Sequence, residues 1–149
     1  MLPALMTIAA ILLNGWHSDR TAERRWHVTI PLVSAGLMYG LAIAFRQSFY
    51  LAIAFILVGS GVIYAFHPVF WAIPTSILSK SAAAASFGLI NSVGQLGGLA
   101  GPYLIGILNE RTHGLTASFA FIATAYLVAG ILVMCLRIGN PFERLHDSK

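Results

Sequence analysis

Four stretches of this chain contain no Asp, Glu, Lys or Arg: Val28–Phe45, Phe49–Ser79, Ser81–Asn109 and Gly114–Leu136, of 18, 31, 29 and 23 residues. A bilayer core of about 30 Å needs roughly 20 helical residues, so each run is long enough to cross a membrane or nearly so. Backbone amides in lipid must be satisfied internally, and uncharged runs of this length read as helices, not as alternating barrel strands. A fifth run, Met1–Gly15, is also uncharged. At about 1.5 Å per residue its 15 residues reach only ~22 Å. No Lys or Arg precedes it and no A-x-A-like site follows, so it reads as the last part of a span and not as a signal peptide. The expectation is an all-α, polytopic membrane protein. Its spans fall at about 1–15 (partial), 28–45, 49–79, 84–109 and 115–137, with a tail over 138–149.

Composition agrees. Charged residues are 9% of the 149, where a soluble domain of this size carries about a quarter. No basic tract interleaved with aromatics argues for a nucleic-acid partner. The single Cys135 excludes an intramolecular disulfide. No CxxC, HExxH or Ser/His/Asp set suggests an enzyme, a metal or a cofactor, and "GQLGGLAG" sits inside an apolar run, where glycines serve packing and not phosphate binding.

The charges that remain are unevenly placed. If the segments cross alternately, the link Trp16–His27, the Lys80 link and the tail share one side. That side then holds Arg20, Arg24, Arg25, Lys80, Arg137, Arg144 and Lys149, against Arg46 and Arg111 on the other. The positive-inside bias makes the first side, with loop 16–27 and the C-terminus, cytoplasmic.

The link itself reads "GWHSDRTAERRWH". Gly15-x-x-x-Asp19-Arg20 followed by Arg24-Arg25 resembles the loop motif of the major facilitator superfamily, which recurs between the eighth and ninth helices. Physically, an Asp entering a helix can accept from its free amides, while an Arg pairs with it or with a neighbouring helix's carbonyls. Gly15, Asp19, Arg20, Arg24 and Arg25 are therefore candidate gating residues. Two departures stand out: Ala22 occupies a position where the family commonly has Gly, and Glu23 adds a residue before the arginine pair.

The stretch "FWAIPTSILSKSAAAASFGLINSVGQLGGLAGPYLIG", Phe70–Gly106, is similar to the tenth-to-eleventh helix region of the anion:cation symporter family within that superfamily. "SDRTAERRWH" is similar to its tartrate-type and hydroxyaryl-acetate-type members. The resemblance implies a partial C-terminal bundle of the major facilitator fold, helices eight (partial) to twelve. It further implies a secondary carrier of small organic anions in a bacterial inner membrane, coupled to H⁺ or Na⁺ and completed by an amino-terminal half. A non-transporting assembly subunit or an inactive gene fragment is the alternative.

Within the spans, Asn91 and Gln95 are four apart and share a helix face, as do His67 and Trp71 on the preceding segment. Amides in lipid need partners, so this set is expected to face the bundle interior or a wet cavity. The resemblance places Trp71 and Asn91 at cavity-lining positions; Gln95 and His67 are weaker substrate-site candidates. Gly94/Gly98 and Gly97/Gly101, with Gly36/Gly40 earlier, form small-x-x-x-small faces suited to close helix packing. Pro102 is expected to bend its helix, and Pro68 and Pro74 to bend or break the 31-residue run. All five acidic residues lie outside the uncharged runs, so no coupling carboxylate is legible in the membrane.

Overall fold

A computed structural model describes residues 2–136. The described residues form α1 (Leu2–Thr21), α2 (Arg25–Ala44), α3 (Phe49–Val62), α4 (His67–Ile77), α5 (Lys80–Thr112) and α6 (Thr116–Cys135). A short 3₁₀ turn, Ile63–Phe66, joins α3 to α4. The tail residues Arg137, Arg144 and Lys149 lie outside the described residues.

The uncharged runs become helices, but their ends move. The polar residues expected to form a loop from Trp16 to His27 are mostly helical: α1 runs on to Thr21 and α2 starts at Arg25, leaving a link of Ala22, Glu23 and Arg24. The reason is that Trp, His, Ser and Arg do not stop a helix. Only a residue that leaves the right-handed region does, and Ala22 does so at φ 53°. Ser48 and Ser79, both extended, precede α3 and α5; the Ser79 hydroxyl accepts the Ala82 amide at the start of α5. His113, left-handed at φ 50°, ends α5.

Three helical stretches are long and apolar enough to cross a membrane: α2, the α3–α4 pair and α6. The Asn, Gln, Ser and Gly content of α5 dilutes its apolarity, although at 33 residues it is the longest helix. Exposed Trp16 and Trp26 sit near one end of the bundle and exposed Phe49 and Tyr50 near the other. From Trp26 to Phe45 an α-helix rises about 28 Å, matching a bilayer core between two aromatic belts.

α2 is the centre. It packs most heavily on α6 and α3, and the buried core Val28, Leu32, Ala35, Tyr39, Ile63, Val69 and Ala123 collects around it. Close approach is made at glycines other than those of α5. A Cβ at Gly36 would lie 2.9 Å from Leu127, one at Gly130 2.7 Å from Val33, and one at Gly61 2.8 Å from Met6. Tyr39 stacks on Phe119 and Tyr126 of α6 and meets the Ser60 hydroxyl of α3 at 3.2 Å.

Of Pro68 and Pro74, both expected to bend or break the middle span, only Pro68 adjoins a break. Helix regularity fails at Ile63–Phe66, just ahead of Pro68, whereas α4 continues through Pro74 and α5 through Pro102. A proline has no N–H, so it deprives the carbonyl four residues back in an α-helix, or three back in a 3₁₀ turn, of its donor. Pro31 does this to His27, and Pro68 to Ala65 in the 3₁₀ pattern. One side chain answers both: Asn14 Nδ2 of α1 donates to the His27 carbonyl at 2.8 Å and to the Ala65 carbonyl at 2.8 Å. Gly15, next in α1, brings the helix against the Pro68 ring, where even a Cβ would sit at 3.6 Å.

Asn14 is therefore expected to matter as a donor. Asn14→Asp keeps shape but cannot donate when ionised, and Asn14→Leu keeps neither role. Each should lower resistance to denaturation in detergent by about 1–3 kcal/mol, the cost of an unsatisfied buried polar group. A fully stable Asn14→Asp chain would rule the donor role out.

Candidate functional site

Two regions hold the residues singled out in the sequence. The first is the α1–α2 corner. Asp19 stands in the last turn of α1, at the negative end of the helix dipole, and not at a helix start as the motif's chemistry suggested. Its partner is Arg24 across the link, at 3.2 Å, and not Arg20. Arg20 instead lies over the Trp16 ring, 4.7 Å from its centroid. Arg25 reaches the other end of the chain, where its guanidinium donates to the Met134 carbonyl in the last turn of α6.

These contacts differ in strength. Asp19 is 71% exposed, so its pair with Arg24 contributes no more than about 1 kcal/mol, and the dipole opposes it by roughly 0.3–1 kcal/mol. The Arg25 tie joins a charged donor to a carbonyl in a half-buried place, but its Nε is buried without a hydrogen-bond partner. Arg25 links the head of α2 to the end of α6, while the Asp19–Arg24 pair across the α1–α2 link is close to balance and can open at little cost.

Glu23, read in the sequence only as an extra residue, has a task here: its Oε2 accepts the Trp26 amide at 2.9 Å, in the first turn of α2. The fully buried Ser18 hydroxyl donates to the Glu23 carbonyl at 3.2 Å and fixes the link beneath it. Ala22 explains itself as well. Its left-handed conformation is one that glycine adopts freely and alanine does not, which is a physical reason for the glycine commonly found there in the resembling motif.

The second region is the α4–α5 hairpin. Trp71 of α4 packs edge-on against Phe87 of α5, with centroids 5.5 Å apart. Phe87, Asn91 and Gln95 follow one another at four-residue steps on α5, so Trp71 abuts the start of a stripe that continues into two amides. Asn91 and Gln95 are exposed, and neither they nor His67 make a side-chain hydrogen bond among the described residues. His67 lies one turn before Trp71, its ring against Tyr64 and Phe66. No local pattern singles out Phe87; only the hairpin's register reveals it.

The glycines of α5 lie in the open. A Cβ at Gly88, Gly94, Gly97 or Gly101 would meet nothing within 4 Å, and one at Gly98 only its own helix's Gln95 at 3.9 Å. A cavity of about 250 Å³ between α4, α5 and α6 is lined by Phe70, Ile73, Ile77, Ile90 and Val133 among others, and includes neither Trp71 nor Asn91. Its lining is apolar apart from Ser86, whereas the exposed amides of Asn91 and Gln95 lie outside it.

The helices and their apolar spans define a polytopic α-helical membrane protein. A sequence profile of the Major Facilitator Superfamily matches residues 1–149. The chain belongs to the major facilitator superfamily. It is similar to a protein of Agrobacterium vitis named "Putative tartrate transporter", 36% identical over 139 residues, which is 93% of this chain and 31% of that protein. It is similar also to the "Putative metabolite transport protein NicT" of Pseudomonas putida, 30% identical over 91% of this chain and 31% of that one. The "Inner membrane transport protein RhmT" of Escherichia coli is 32% identical over 88% of this chain and 31% of that protein. The chain thus spans about a third of the length of these relatives, each of which is named a transporter and none an enzyme. No solved structure matches the chain.

Relief of the left-handed strain gives a direct expectation. Ala22→Gly should leave the helices in place and raise thermal stability by up to about 1 kcal/mol, since the strain removed slightly exceeds the added chain entropy. A clear loss of stability would mean that the Ala22 methyl packs usefully.

Proposed function

We propose that this chain supplies one wall of the substrate path in a carrier of small organic anions, built to the length of its relatives with the remaining spans provided by further sequence or a partner. The observation that carries this reading is the α4–α5 stripe. There an aromatic wall, Trp71 on Phe87, runs directly into two exposed amides that no group of the described residues engages. An amide offers a donor to a carboxylate and both donor and acceptor to a hydroxyl, which is the chemistry of a hydroxy acid such as the one in the names of the Agrobacterium vitis relatives. Trp71 supplies an apolar wall with one N–H. Asn91 and Trp71 are the contacts proposed first, with Gln95 and His67 at the edges of the same surface.

In this reading the α1–α2 corner is the gate. The weak Asp19–Arg24 pair opens as the bundle rocks, while Arg25 keeps α2 and α6 together through the movement. The carrier is proposed to run by symport with H⁺ or Na⁺, the coupling group lying outside this chain's spans. The corner is assigned to the cytoplasmic side of the inner membrane because Arg20, Arg24, Arg25 and Lys80 gather at that end, against Arg46 and Arg111 at the other. A second reading, a helix-assembly subunit, is favoured by the open glycine face of α5.

Uptake separates the two readings. With the remaining spans supplied in cis or by co-expression, Asn91→Ala should weaken uptake of labelled dicarboxylates or hydroxy acids roughly ten- to a hundredfold, as expected for one hydrogen bond to a charged group. Trp71→Phe should cost less than Trp71→Ala. Unchanged uptake of every anion by Asn91→Ala, with a less stable bundle, would assign that face to assembly. Reporter fusions after Arg25 and near Gly114 should report the cytoplasm and the opposite side; the reverse result would overturn the orientation.

A further inference from the structure

At the α1–α2 corner two histidines meet. His17 Nδ1 of α1 and His27 Nε2 of α2 are 2.6 Å apart, with ring centroids at 4.9 Å. The second nitrogen of His27, Nδ1, is buried without a hydrogen-bond partner, and its nearest counter-charge is Glu23 Oε2 at 3.6 Å. His27 is 13% exposed, whereas His17 is open to water. The backbone of His27 is held by the same helix, through Asn14 one turn earlier. α1 therefore grips one residue of α2 by both its carbonyl and its ring.

We propose that His17 and His27 share a proton and form a pH-sensitive joint between α1 and α2, behind the Asp19–Arg24 pair. Two ring nitrogens 2.6 Å apart hold a bond only when one proton lies between them. With both rings neutral, one N–H donates to the other ring's lone pair. One added proton keeps the bond and makes it charge-assisted, with His27 Nδ1–H turned to Glu23 and Nε2–H donating to His17. A second added proton leaves both facing nitrogens as donors, and two imidazolium rings then meet at contact distance. The bond cannot survive that state, so acidification opens the joint in its second step and not its first.

The surroundings suit such a joint. The charged groups of the elements packed here are Asp19 and Arg20 on α1, Glu23 and Arg24 in the link, and Arg25 at the head of α2; the 3₁₀ turn and α4 add Tyr64 and His67, whose rings face each other at 5.5 Å. Glu23 is also the residue that accepts the Trp26 amide in the first turn of α2, so the joint and the helix start share one carboxylate. The inference does not rest on the carrier reading: it would hold for an assembly subunit as well.

The test is ¹⁵N-histidine NMR on the full 149-residue chain in phospholipid nanodiscs, titrated from about pH 8 to pH 4.5, across the imidazole range. The rings of His17 and His27 should show a nitrogen–nitrogen correlation and titrate as a pair, each responding to both steps. Amide exchange over residues 22–28 should accelerate across the lower step. His17→Asn places an amide where Nδ1 stood and can donate or accept by turning over. In that variant the link should stay closed through the same range and His27 should show a single step. Independent single steps for His17 and His27 in the wild-type chain, or an exchange step that persists in His17→Asn, would overturn the proposal. Because the first measurement is made on the unaltered chain, it decides the matter even if the variant folds poorly.

Discussion

A carbonyl without a donor is among the least tolerable things a helix can present to lipid, and this bundle creates two of them. Pro31 and Pro68 remove the N–H groups that His27 and Ala65 would otherwise use, and both free carbonyls point at one amide, Asn14. Much of the architecture follows from that meeting. The break in the middle span is held at a fixed place, α1 lies close enough for Gly15 to approach Pro68, and the α1–α2 corner acquires its geometry. Remove the amide and the break keeps its apolar contacts with α1, such as Met6 on Gly61, but both carbonyls lose their donor.

The two ends of the bundle are built on different terms. At the Ser48 and His113 end the turns are short and close over partly buried side chains such as Ile56 and Phe119. At the link end the contacts are polar and varied: an Arg25 tie between α2 and α6, a weak exposed ion pair, and a histidine contact whose existence depends on proton count. Such variety fits the gate proposed for this corner, because one tie must persist while others change.

The helical character and the number of apolar runs were legible because charge-free stretches of this length allow little else. Helix ends were less legible. Charged residues from Asp19 to Arg25 read as loop, yet helix propensity carries α1 to Thr21, and only the backbone of Ala22 marks the stop. The roles proposed for Trp71 and Asn91 rest on resemblance; the hairpin register adds only the contact of Trp71 with Phe87. Asn14 was hidden for a different reason: its function depends on two prolines 17 and 54 positions away, a relation that no local pattern displays. The glycine steps of α5 were visible, but the close contacts of the described bundle fall on Gly36, Gly61 and Gly130 instead.

The break between α3 and α4 also bears on how the chain is made. α3 has 14 residues and α4 has 11, which at about 1.5 Å each reach roughly 21 and 16 Å. Neither half can cross a bilayer by itself, so the insertion machinery must accept the pair as one unit with an imperfect middle. By the time Ala65 leaves the ribosome, Asn14 and His27 have already been synthesised and their hairpin can be in the membrane. The amide that will receive the defect is therefore in position before the defect arrives. Chain order, as much as final geometry, protects the weak point during biogenesis.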